Sequence, residues 1–311
     1  MEESLACYQG STHFSGGSVT VHRLCLCVYP SATAQPLWYT GHIPNRKRLC
    51  LFFYLNILII IYLAVIQMFT ADFHIHSRYS RATSKDCVPE MLELWARRKG
   101  LQLIGTGDFT HPAWRQELRD KLMEAEDGLY RLKTDCRLQD GAPAGEDQPA
   151  RFIVTGEISS IYKKDGRVRK VHNVIMLPSL DAAEALAKRL ELIGNLHSDG
   201  RPILGLDSRD LLEITLDVCP QAIFVPAHIW TPHFSLFGAY SGFDRIEDCY
   251  GDMTPYIHAV ETGLSSDPPM NWRLSALDGY TLISNSDAHS PANLAREANR
   301  FDTELSYAAI A

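Results

Sequence analysis

His74 and His76 stand one residue apart in the apolar stretch TADFHIH (70–76). Side chains at i and i+2 of a strand share a face about 6.6–6.8 Å apart, so two imidazoles so placed can converge on one ion. Asp287 and His289 repeat the arrangement at the end of YTLISNSDAH (280–289). Between the two pairs come Asp108, Glu157, His172, His228 and Glu261, each in or at the end of a short apolar run. A lone HxH is a weak signal, since histidines in strands are more often satisfied core residues. Recurrence of His, Asp and Glu at successive strand ends is what points to metal. Imidazole and carboxylate without thiolate suit Zn2+, Mn2+ or Fe2+. A carboxylate shared by two ions about 3.5–4 Å apart, with Glu157 as the candidate, is the two-metal arrangement of phosphoester hydrolysis.

The elements that must position these groups alternate short β-branched runs with amphipathic stretches, the pattern of βα units. Strands are expected at 70–76, 101–109, 151–159, 169–177, 222–230, 256–263 and 280–289. Helices are expected at 88–100, opened by Pro89 and closed by Gly100, and at 179–194 and 208–218. The polar, Gly- and Pro-bearing stretch 133–150 reads as a long exposed loop. Nearly all the candidates then fall at C-terminal ends of strands, where a βα barrel gathers its chemistry.

At 311 residues the chain can bury one large core or two modest ones. A net charge of −7 argues against wholesale polyanion binding, with one local exception, IYKKDGRVRK (161–170). That stripe reads either as a solvated hairpin tip or as a nucleic-acid contact. The eight cysteines form no CxxC pair, which excludes a zinc ribbon and suggests reduced thiols of a cytoplasmic protein. Residues 49–66 are apolar save Asn56, just long enough to cross a bilayer, and come directly after Arg46, Lys47 and Arg48. By the positive-inside tendency, a span there would leave the C-terminal part of the chain outside the cytoplasm. Only Gln67 to Thr70 separate this run from the first histidine strand. The expectation is therefore that 1–67 is a non-domain extension ahead of a start at Met68. A membrane anchor through 49–66 and a buried core helix are the alternatives.

The order HxH, Asp, Glu, His, His, DxH resembles that of the polymerase and histidinol phosphatase (PHP) superfamily, α/β proteins with a distorted (βα)7 barrel. Members hydrolyse phosphoesters with two or three metal ions held at the C-terminal ends of the strands. The resemblance covers 68–311 and implies metal-ligand roles for His74, His76, Glu157, His172, His228, Asp287 and His289. More narrowly, DFHIHSRYSRATSKD, GTGDFTHPAW, HIWTPHFSLFG, SGFD, ETGLSSDPPMNWRLSALD and SNSDAHSPANLAREAN resemble the endonuclease Q family. Its enzymes nick DNA 5′ of deaminated bases (uracil, hypoxanthine, xanthine) and of abasic sites. The resemblance thus implies a DNA-repair endonuclease using two or three divalent ions, Zn2+ first, Mn2+ or Fe2+ next. Damaged DNA and replication or repair proteins would be its partners. Two departures stand out: the second motif is Asp108-Phe109, with His111 further on, where Asp-His is common. Ala82 occupies the position six residues after His76, where another ligand is often found. Asp108, His111 and Glu261 are accordingly secondary metal candidates. Family members continue into a C-terminal region with a cysteine-type zinc site. Here FDTELSYAAIA (301–311), with a helix expected from an Asp302/Thr303 cap, implies a domain incomplete at that end.

In that mechanism Asp287 and Glu157 are the expected catalytic residues, Asp287 also orienting the attacking water. The products would be a 3′-hydroxyl and a 5′-phosphate. Arg78 and Arg81 come just after the HxH strand and are candidates for gripping DNA phosphates. Trp230, Phe234, Phe237, Tyr240 and Phe243 recur at three- to four-residue spacing after His228. They suit either a pocket for an extruded base, with Trp230 and Phe234 foremost, or the packed face of a helical insertion. The residues alone also allow a phosphatase of a small phosphomonoester, or a non-catalytic PHP module that binds DNA or a repair partner.

Overall fold

The structure is a computed structural model that describes residues 68–139 and 149–311. The expected extension 1–67 with its apolar run 49–66, and part of the expected loop (140–148), lie outside them. Among the described residues no helix is long and apolar enough to cross a membrane.

The fold is mixed α/β around a central sheet. Strands β1 (Phe69–Asp72), β2 (Leu103–Gly105) and β5 (Arg151–Lys164) run parallel side by side. Beyond them β3 (Leu122–Glu124) and β4 (Tyr130–Leu132) continue one edge antiparallel, and β11 (Asn299–Phe301) closes the other against β1. A long hairpin joins β5 to β6 (Arg167–Leu177), with β7 (Ile203–Leu204) against β5 and β8 (Ile223–Pro226) against β6. A separate parallel pair, β9 (Ala259–Glu261) and β10 (Thr281–Ile283), completes the strands. The sheet does not close into a continuous barrel ladder. Ile229 N–H donates to the Glu261 carbonyl between β8 and β9, and a bridge pairs Ile75 with Ala288 beyond β10.

Hydrophobic alternation explains the layering. Leu103, Ile153, Val174, Met176 and Val225 point to one face and form a cluster with Phe69, Ala71 and Phe73. Their neighbours Ile104, Phe152, Val154, Ile175, Leu177 and Phe224 point to the other face, beneath the helices. Those helices are α1 (Pro89–Lys99), α2 (Pro112–Lys121), α3 (Leu180–Glu191) and α4 (Ser208–Val218). Pro opens α1, and Gly100 N–H caps it on the Ala96 and Arg97 carbonyls. Ser179 caps α3 by accepting from Ala182 N–H, and Asp207 caps α4 by accepting from Arg209 N–H.

Three expectations need correction. The third and fourth expected strands depart from the βα alternation and form the hairpin that one reading of 161–170 implied: Asp165 and Gly166, both at positive φ (54° and 72°), turn the chain straight back antiparallel. No helix lies between His228 and Arg245, so the aromatic run there is not a helical insertion. The last helix, Tyr307–Ile310, starts from a Ser306 cap accepting from Ala309 N–H, not from Asp302 or Thr303.

Candidate metal centre

Strand ends bring the charged groups together. His74 and His76 lie two and four residues past the end of β1, their rings 5.4 Å apart. Glu157 is four residues past Ile153 on β5, and His172 is two before Val174 on β6, so both share the face of the inner cluster. The reversal of β6 sets His172 opposite Ser159, near Glu157. His228 comes just after β8, and Asp287 and His289 come after β10.

Glu157 is the hub. Its Oε1 lies 2.7 Å from His172 Nδ1, 3.1 Å from His228 Nε2 and 3.5 Å from His74 Nε2. Its Oε2 lies 3.5 Å from His76 Nε2 and accepts a bond from Arg201 at 3.2 Å. Asp287 Oδ1 stands 3.1 Å from His76 Nε2 and 3.6 Å from both His74 Nε2 and His289 Nδ1. The donor atoms form three adjoining groups: His74, His76 and Glu157; His76, Asp287 and His289; Glu157, His172 and His228. Glu157 and His76 each belong to two.

The far sides of the rings explain their aim. His74 Nδ1 lies 2.9 Å from Glu261 Oε2, and that carboxylate also accepts from His228 N–H and Asn285 Nδ2. His76 Nδ1 lies 3.1 Å from Asp108 Oδ1, whose other oxygen accepts from Ser77 N–H and Oγ–H at 2.7 and 2.6 Å. A carboxylate behind each ring holds the proton on Nδ1 and turns Nε2 inward. Asp108 and Glu261, expected as metal ligands, thus stand behind imidazoles with their oxygens already engaged. Burial opposes charge here, but neighbours prevail. Glu261, Glu157 and Asp287 lift His74 well above the usual imidazole value. Asp108 and Asp287 take His76 to about 9, and the imidazoles of His172 and His74 hold Glu157 well below the usual carboxylate range.

These residues fit divalent metal. His74 Nε2 is buried without a hydrogen-bond partner, and it faces two carboxylates. An ion among these donors would satisfy that nitrogen and neutralise charge that, among the described residues, is met by imidazoles and Arg201. Asp108, His228 and Asp287 each sit at positive φ (50°, 27° and 47°), an uncommon placement for residues other than glycine.

The remaining candidates separate. His111 turns away, Nε2 to the His197 carbonyl and its ring stacked on Tyr79. Arg78 is tied to Glu117 at 2.8 Å and is absent from the lining of the cavity over the metal groups. Trp230 donates Nε1–H to Asn271 and packs on Phe237, so it too is spent in packing. Arg81 and Phe234 do line that cavity, of about 390 Å³, Phe234 with its ring against His172. Sequence reasoning missed Arg201. The signal for Arg201 was there, a lone arginine fixed between the Asp-Gly of a tight turn and Pro202.

No protein-family model matches the chain. It is 32% identical over 178 residues to an uncharacterized protein of Methanocaldococcus jannaschii, covering 57% of this chain and 18% of that protein. It is 29% identical over 212 residues to the uncharacterized protein YqxK of Bacillus subtilis, covering 66% of this chain and 48% of the relative. The chain thus spans less than half the length of these curated relatives. Among solved structures it is similar to the lesion-specific endonuclease PfuEndoQ from Pyrococcus furiosus, at 31% identity and a TM-score of 0.66 over 78% of this chain and 55% of that one. The same values hold for endonuclease Q in complex with a 27-mer duplex bearing an abasic lesion at the active site. The likeness carried by the sequence motifs is therefore present in the fold as well: this chain is similar to endonuclease Q, and the histidines and carboxylates of those motifs come together in three adjoining groups.

Proposed function

We propose that the chain is a metal-dependent endonuclease that nicks DNA on the 5′ side of an abasic site or a deaminated base. The observation that carries this reading is the meeting of seven imidazole and carboxylate residues, Glu157 among them, in three adjoining groups within a fold similar to a lesion-specific endonuclease. His74, His76, Glu157, His172, His228, Asp287 and His289 would hold two or three divalent ions, Zn2+ first. Such ions supply charge for a phosphate and lower the pKa of a water toward neutrality.

The chain's own part is positioning. Glu157 is fully buried and unreachable by bulk water, whereas the Asp287 side chain is 33% exposed at the mouth. Asp287 is therefore the carboxylate able to orient a water against the phosphorus. Asp108 and Glu261 keep His76 and His74 in the tautomer that presents Nε2. Phe234 offers an apolar surface on which a displaced base or sugar can rest. The cysteines Cys87, Cys136, Cys219 and Cys249 are free thiols, which supports a cytoplasmic, reducing setting. The (βα)7 barrel of the PHP type remains the parent architecture in this reading, opened where the ladder is interrupted.

The test uses the purified protein loaded with Zn2+ or Mn2+ and end-labelled duplexes carrying one abasic site, uracil or hypoxanthine. A nick immediately 5′ of the lesion is expected, with Asp287→Ala at least about a hundredfold slower while folded. Phosphate release from a monoester, with damaged DNA left intact, would replace the nuclease by a phosphatase. Binding to DNA without cleavage of either substrate would make it a non-catalytic module.

A further inference from the structure

Arg201 is the cation the proposed ligand set does not use. Its guanidinium reaches Glu157 Oε2 at 3.2 Å and lines the cavity with Arg81, His172, His228, Phe234 and Asp287. The backbone around it is pinned on three sides. Gly200 N–H donates to the Tyr79 carbonyl, the Gly200 carbonyl accepts from Thr110 Oγ–H, and the Pro202 carbonyl accepts from Ser159 N–H. Asp199 accepts from the N–H groups of both Arg201 and Arg81, tying the two arginine-bearing loops together. Gly200 is needed for this seat, because a Cβ there would stand 2.4 Å from Asp108 Oδ2 and 2.7 Å from Ser80 Oγ. So the main chain is rigid while the guanidinium is held through one carboxylate oxygen. That oxygen is one the metal centre itself would use.

We propose that Arg201 is the anion-gripping residue of the site: with Glu157 engaged by metal, its guanidinium turns to the non-bridging oxygens of the substrate phosphate. Arg81, 81% exposed at the rim, is a weaker outer partner. The reasoning is electrostatic. Asp199, Glu261 and Asp287 line the cavity and Glu157 is buried beneath it, so a phosphoester can enter only where fixed positive charge meets it. The planar fork of an arginine matches a phosphate with two parallel N–H bonds, which a lysine cannot provide. This inference rests on the reading of the site as a phosphoester centre and is tested independently of cleavage.

The probe is inorganic phosphate, titrated calorimetrically into the Mn2+- or Zn2+-loaded full chain, with metal content per chain measured by atomic emission. Arg201→Gln is expected to weaken phosphate binding roughly 10- to 100-fold with metal content unchanged, as loss of a charge-assisted pair predicts. Arg201→Lys should fall between the two. Phosphate binding by Arg201→Gln within about twofold of the unaltered protein would overturn the proposal. So would loss of bound metal in that variant, which would make Arg201 a support for Glu157, and so would an unaltered protein that binds no phosphate. Competition then identifies the anion. Displacement of phosphate by an abasic-site duplex assigns it to DNA, and displacement by a nucleoside monophosphate alone assigns it to a small phosphomonoester; either result keeps Arg201 in the role while deciding the nuclease reading separately.

Discussion

Each inward imidazole nitrogen in the site depends on what its other nitrogen touches. His76 presents Nε2 because Asp108 takes Nδ1, and Asp108 is itself fixed by two bonds from Ser77. Asp108→Asn is a sharp test, since asparagine tolerates the positive φ of this residue and keeps its size. The amide can present its NH2 to the ring and favour the wrong tautomer. Metal affinity should fall about 10- to 100-fold with the fold intact, read by metal titration with circular dichroism as control. An unchanged affinity would mean that Asp108 does not aim His76. At the hub, Glu157→Gln keeps the shape but removes the charge shared by two donor groups. The loss of at least one metal equivalent per chain is expected, by atomic emission. The identities of these residues were legible in the sequence, because His, Asp and Glu at strand ends are conspicuous. Their division was not: whether a carboxylate faces an ion or the back of a ring depends on which nitrogen points inward, and that is fixed by partners distant in the chain, Asp108 32 residues from His76 and Glu261, held by Asn285, 187 residues from His74.

The elements were legible where apolar periodicity is long enough to read. All seven expected strand segments contain a strand, and the three expected helices appear at Pro89–Lys99, Leu180–Glu191 and Ser208–Val218. Helix Pro112–Lys121 escaped notice because Trp114 and Leu118 are its main apolar residues in a polar run. Strands such as Ile203–Leu204 and Asn299–Phe301 are too short for any period, and exist because a neighbouring strand edge pairs with them. The direction of β6 lay in two residues, Asp165 and Gly166. Their reversed turn keeps β6 beside β5 and puts His172 within reach of Glu157. Gly166→Val should therefore destabilise by roughly 1–2 kcal/mol, the cost of forcing a side chain into the left-handed region. Urea unfolding measures it, and metal content should not change, because the turn is remote from the donors. A larger loss, with metal released, would mean that the hairpin tip and the centre unfold as one unit.

On the scale of the whole molecule the centre is assembled from both ends of the described chain. His76 and Asp287 meet at 3.1 Å although 211 residues separate them, and the Ile75–Ala288 bridge joins β1 to β10 beside them. That join is one of the two places, with β8 and β9, where the sheet ladder is interrupted, so the donor groups and the strand contacts there must support each other. An unfolded chain cannot reproduce a site spread from residue 74 to residue 289, so ions that bind the folded state stabilise all of it. At a free metal concentration of 100 times Kd the gain is about 2.7 kcal/mol, which for a domain of this size is a rise in Tm of roughly 5–10 °C. Calorimetry with added Zn2+ or Mn2+ against a chelator should give that shift in the unaltered protein and much less of it in Glu157→Gln. The same ions should protect the amides of β1 and β10 from hydrogen exchange, because those strands carry His74, His76, Asp287 and His289 just beyond their ends. A Tm indifferent to metal would sink the metal centre itself and, with it, the hydrolytic reading. A Tm that rises in Glu157→Gln as much as in the unaltered protein would leave a metal site but remove Glu157 from it.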